Sequence, residues 1–244
     1  MTHRFAPIER FLARGLTVTA LGASILFTAT TGALAQHDAH GGTPEAAWSC
    51  AMTGTPVAAG HEDMDMGMEM DMADVEFDQL YIDMMLPHHG SIIALAEAAL
   101  PELTDPRLQE MAANIIEAQT AENAQLTEWR TEWYGSGEPV MTDASMERML
   151  EAMPVGTMEE MMREMDAAYQ VATFCAADNP DLAFIDQTIP HHQMAIDASE
   201  VAVEEAVHPE LAALAEDVIV AQQAEIELLN DIRAEMDVAA TPAS

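Results

Sequence analysis

The chain has 244 residues, 43 Asp and Glu against 8 Lys and Arg, and a formal net charge of −35. That balance excludes nucleic acid as a partner, because binding phosphate requires Lys and Arg to neutralise it, and it favours cations. Cys50 and Cys175 are the two cysteines and form no Cys-x-x-Cys, so thiolate zinc sites and thioredoxin-type redox chemistry have no support.

At the N-terminus Arg4, Arg10 and Arg14 lead into a largely apolar run from Leu16 to Ala29. Ala33-Leu34-Ala35 then supplies the small residues of a cleavage site. The run is about 14 residues, short of the ~20 that span a bilayer. Residues 1–35 read as a signal peptide and the mature protein as secreted or periplasmic. No Cys follows the site to carry a lipid, and no later segment suits a membrane. In an oxidising compartment Cys50 and Cys175 have one pairing open to them. The acidity has a bland reading too, solubility in a salty environment.

Residues 36–76 read as a flexible arm, rich in Gly, Asp, Glu and His and poor in bulky apolar residues other than Met. Within it Met64, Met66, Met68, Met70 and Met72 alternate with charged or small residues after His61, and His37 and His40 precede them. No helical core would need that period. Thioethers select Cu(I), and imidazole and carboxylate also accept Cu(II), so the arm is a candidate copper ligand. The alternative is acidic disorder with incidental Met.

Residues 77–134 and 181–237 are an internal repeat. Displaced by 103 positions, Asp83, Pro87, His88, His89, Ile93, Glu97, Pro106, Leu108, Ile116, Gln119 and Glu122 fall on Asp186, Pro190, His191, His192, Ile196, Glu200, Pro209, Leu211, Ile219, Gln222 and Glu225, and about 20 of 56 positions are identical without a gap. In each copy apolar residues recur every three or four positions, with a break at Pro101–Pro106 and at His208-Pro209. Each copy therefore predicts two helices. Two such hairpins combine into an all-α four-helix bundle spanning 77–237. The connector, 135–180, predicts one more helix from Asp143 to about Ala176, interrupted near Pro154–Gly156. Its Met residues read as packing against the bundle. Residues 238–244 form a short tail.

Pro87 and Pro190 interrupt otherwise continuous helical patterns, so each helix either kinks there or restarts. Both outcomes place His88-His89 and His191-His192 on the first turn after an irregularity. Met84 and Met85 lie within a turn of the first pair and Met194 within a turn of the second, so thioether and imidazole can grip one ion. Asp83, Asp186, Glu97 and Glu200 are candidates to bind metal or orient the rings. A purely structural role is the competing reading: the histidines cap a kink and bond to Asp83 and Asp186.

These segments resemble the family of secreted bacterial proteins known as domain of unknown function 305. The likeness rests on an Asp, an apolar stretch, Pro-His-His, an Ala/Glu-rich helix and a second helix with Gln-x-x-Glu, here FDQLYIDMMLPHHGSIIALAEAAL with IIEAQTAEN, and DLAFIDQTIPHHQMAIDASEVAV with VIVAQQAEI. The resemblance implies a ferritin-like bundle and extracytoplasmic copper binding, with His88, His89, His191, His192, Met84 and Met85 as ligands. The second copy departs from it, with Gln187 and Thr188 where the first has Met. The expectation is a non-catalytic protein that sequesters or hands on copper, has no organic cofactor, and exchanges metal with a donor or acceptor protein. One rival is a ferritin-like di-metal oxidase. Its Glu-x-x-His signature occurs here only at Glu205–His208. The other rival is a structural or interaction bundle that binds no metal.

Overall fold

The computed structural model describes residues 48–52 and 75–240; the leader, His61 and the arm methionines Met64, Met66, Met68, Met70 and Met72 lie outside them. The described residues form seven α-helices and no strand: α1 Phe77–Ala99, α2 Pro106–Tyr134, α3 Asp143–Ala152, α4 Met158–Met165, α5 Ala167–Cys175, α6 Pro180–Glu205 and α7 Pro209–Ala240.

Local chemistry accounts for the boundaries. Asp105 caps α2 by accepting from the Arg107 N–H, and Asn179 caps α6 by accepting from Leu182 N–H, each followed by Pro at the first helical position. Gly135 ends α2 in the left-handed conformation, φ 82°, which glycine adopts without steric cost. The connector resolves into three helices, one break more than its spacing predicts. The extra break falls at Asp166, which ends α4 and whose carboxylate accepts from the Tyr169 N–H to start α5. Reciprocal caps, Thr142 with Ser145 and Thr157 with Glu160, start α3 and α4.

Helices α1 and α2 pack as one hairpin and α6 and α7 as another. The hairpins meet along α1 and α6, and α3, α4 and α5 lie against α1. Tyr81 bonds Ser199 and His88 lies on His191, so α1 and α6 run antiparallel. Equivalent carboxylates then pin each hairpin to the other's loop. Asp78 accepts from the backbone N–H of Val207 and His208 at 2.8 Å, and Asp181 accepts from Thr104 N–H at 2.8 Å. Both helices continue through Pro87 and Pro190 without restarting.

The core has two main apolar clusters. Leu80, Tyr81, Met84, Met85, Leu126, Ala195, Leu211 and Val218 belong to one, and Ile92, Leu95, Leu108, Ile115, Phe184, Ile185 and Leu229 to the other. On α1 and on α6 the histidine pair lies between the residues contributed to these two clusters. A disulfide joins Cys50 to Cys175, tying residues 48–52 to the end of α5. No helix of the described residues is long and apolar enough to cross a membrane.

Candidate metal centre

His88, His89, His191 and His192 are all fully buried, at 0% exposure. The continuous helices carry each pair inward at the same level, and the antiparallel crossing brings the pairs face to face. The His88 and His191 rings stack with centroids 3.7 Å apart and planes tilted by 34°. His89 and His192 flank them, 6.1 and 6.2 Å from their neighbours. Gln119 and Gln222, 3% exposed, come from equivalent positions of α2 and α7.

Imidazole has two ring nitrogens, and buried ones are normally satisfied. Here seven of the eight ring nitrogens in the two pairs are buried with no hydrogen-bond partner, and Nε2 of His191 is the exception. That atom stands 3.0 Å from the His88 carbonyl oxygen and 2.9 Å from Ser91 Oγ. A carbonyl only accepts, so Nε2 carries the proton and Nδ1 of His191 holds a free lone pair. Ser91 donates in turn toward the Glu164 carbonyl or that of His88. His89 Nε2 lies 2.9 Å from Glu122 Oε2, and His192 Nε2 lies 2.7 Å from Glu225 Oε2. These are ion-pair distances, yet the angles do not make hydrogen bonds, so the carboxylates approach off the ring nitrogens' own axes.

Burial, and then the neighbouring imidazoles, hold His88 and His191 well below the ordinary histidine pKa. Both rings are therefore neutral at pH 7, with lone pairs available to a metal. Each unpartnered buried polar group costs about 1–3 kcal/mol. Such a concentration in one layer is not explained by packing. As placed, no three His, Cys, Asp or Glu groups of the described residues converge on one ion-sized point. The stacked rings must turn about their side-chain torsions to do so.

The other candidates separate. Met84 and Met85 are fully buried, and Met194 is 5% exposed, all in the cluster beside the histidines. Asp83 is not bonded to an imidazole; both its oxygens go to Arg130, at 2.6 and 3.3 Å, inside the core. Asp186 pairs with Arg233, the equivalent residue, at the surface. These pairings correct the expectation that the aspartates serve the histidines. A guanidinium has a lasting charge and a fork of donors, which out-competes a neutral ring for a carboxylate. Glu97 accepts from Trp48 N–H at 3.1 Å, and Glu200 is exposed beside Val203, Glu204 and Glu216, away from the layer. The carboxylates that do reach the rings are Glu122 and Glu225. With Gln119 and Gln222 they stood among the shared positions of the repeat, and that identity was the available signal. Ser91 had no such signal, since its equivalent is Met194.

The sequence profile of the family described as Domain of unknown function (DUF305) matches residues 78–233. Among solved structures, CopM in the Cu(I)-bound form is similar at 29% identity and a TM-score of 0.52, covering 65% of this chain and 96% of that one. CopM in the Ag-bound form, obtained by soaking, is 31% identical with a TM-score of 0.50 over the same shares. A DUF305 protein from Streptomyces coelicolor, 21% identical with a TM-score of 0.52 over 66% of this chain and 93% of that one, shares the fold. No curated protein matches the chain. An all-helical chain with Pro-His-His on both central helices, matched across both hairpins, belongs to the DUF305 family.

Proposed function

We propose that this protein is an extracytoplasmic copper-binding protein that holds the ion in the histidine layer and sequesters it or passes it on. The carrying observation is the set of seven buried ring nitrogens that make no hydrogen bond, two of them facing Glu122 and Glu225 at ion-pair distance. Copper suits the donors. The neutral imidazoles of His88 and His191 share α1 and α6 with the thioethers of Met84, Met85 and Met194, and soft sulfur selects Cu(I). A soft monovalent ion needs fewer ligands than zinc, whose structural sites take four. The likeness to CopM, solved with Cu(I), Cu(II) and Ag, supports the same choice. The signal-like leader supports export, and the Met-rich arm supports capture of ions ahead of the bundle.

Binding without turnover is the reading we favour. A di-metal oxidase would need Glu205 and His208 in the core. Glu205 instead ends α6, and His208 Nδ1 lies 2.7 Å from Asp78.

Anaerobic titration of the full chain with Cu(I), in competition with a chelator of known affinity, tests the proposal. Changing His88, His89, His191 and His192 together to Ala should remove one class of bound ion, of Kd ~1 μM or tighter, which corresponds to about 8 kcal/mol. Identical stoichiometry and affinity in that variant would overturn it.

A further inference from the structure

A layer sealed between apolar clusters raises a question of access, because moving an ion through hydrocarbon carries a large desolvation penalty. A cleft of about 400 Å³ lies where the connector crosses α6, and Val155, Glu164, Pro190, Gln193, Met194 and Asp197 are among the residues lining it. Its polar lining includes Glu160, Glu164, Arg163 and Asp197. Arg163 is engaged by Glu164, at 3.2 Å.

The floor of this cleft adjoins the histidines. The Ser91 hydroxyl bonds the carbonyl of Glu164, a lining residue, and the same oxygen stands 2.9 Å from Nε2 of His191. One hydroxyl thus separates cleft wall from ring. Met194 lies one helical turn beyond His191 and is 5% exposed. It is also the 103-residue equivalent of Ser91. Neither this cleft nor the second depression, beside Glu200 and Val220, is lined by a histidine, but only this cleft reaches one through a single hydroxyl, that of Ser91.

We propose that the cleft beside Pro190 is the port through which a soft monovalent cation reaches the histidine layer, with the Met194 thioether as its first ligand on the way in. The connector is what shapes this port. It has no counterpart in the repeat, so the two faces of the layer are not equivalent. The port rests on the copper-binding reading above.

Rates separate the two. In a full-length background with Met64, Met66, Met68, Met70 and Met72 changed to Ser, uptake of Ag(I), a redox-stable probe, is followed by stopped flow. Gln193 is exposed on the rim, so Gln193→Trp should plug the mouth and slow uptake and release alike by at least ~10-fold, leaving Kd within about threefold. Met194→Leu should slow uptake and also weaken binding. Val220→Trp, in the other depression, should change neither. If Gln193→Trp disturbs the fold by circular dichroism, Asp197→Arg sets a cation across the same mouth and should slow uptake most at low salt. Parent-like uptake in the folded rim variant, with binding still dependent on the four histidines, overturns the port alone. Absence of any histidine-dependent binding overturns the copper reading and the port with it.

Discussion

His88→Leu should make the metal-free protein more stable while removing its function. The ring is fully buried and neither nitrogen has a partner, so its desolvation costs about 1–3 kcal/mol with nothing returned. An apolar side chain of similar size removes that cost. It also forfeits the ring contact with His191 at 3.7 Å, worth ~0.5–1.5 kcal/mol. Mid-range values leave a net gain of about 1 kcal/mol, or roughly 2–4 °C in Tm for a chain of this size. Calorimetry with and without Cu(I) provides the assay. At a hundredfold excess over Kd the parent should gain about 2.7 kcal/mol from the ion, and the variant should gain far less, so the order of stability reverses on adding metal. Leu95→Ala, at equal burial, is the contrast and should cost about 2–5 kcal/mol. If His88→Leu instead destabilises the metal-free protein like a core truncation, the ring is a packing residue. Copper affinity equal to the parent's would refute the reasoning outright.

The two aspartate–arginine pairs should differ in worth although they are equivalent in sequence. Arg130→Met leaves Asp83 charged in the core, where the side chains are 4% and 2% exposed, and should cost about 3–5 kcal/mol. Arg233→Met breaks a pair whose members are 34% and 63% exposed and should cost no more than about 1 kcal/mol; urea denaturation checks both, and equal costs would count against the burial argument. Replacing Cys50 and Cys175 with Ser opens a loop of sequence separation 125. It should lower stability by at most about 5 kcal/mol in the chain-entropy account, read as a fall in Tm that dithiothreitol reproduces in the parent.

Much of this molecule was legible along the chain. Apolar spacing marks the faces of α1, α2, α6 and α7, because a helix of 3.6 residues per turn places those positions on one side. Pro106 and Gly135 mark ends for local steric reasons that need no neighbour. The doubled Pro-His-His points to a site because packing alone does not call for adjacent histidines at equivalent places. The partners of the aspartates were not legible, for a definite reason. Asp83 precedes His88 by five residues, a local relation, whereas Arg130 is 47 residues away and becomes its partner only when α2 folds back on α1. Glu97 follows His89 by eight residues, whereas Glu122, from α2, is the carboxylate that reaches His89.

Composition and periodicity thus determined that the chain is helical, duplicated, acidic and armed with imidazole and thioether. They did so because these are properties of single residues or single helices. Which ring stacks on which, which carboxylate meets a guanidinium, and where a cleft forms between the connector and α6 were settled only by how the helices pack together. Those contacts join residues up to 103 positions apart, and packing between helices chooses among them after each helix's own face is already set.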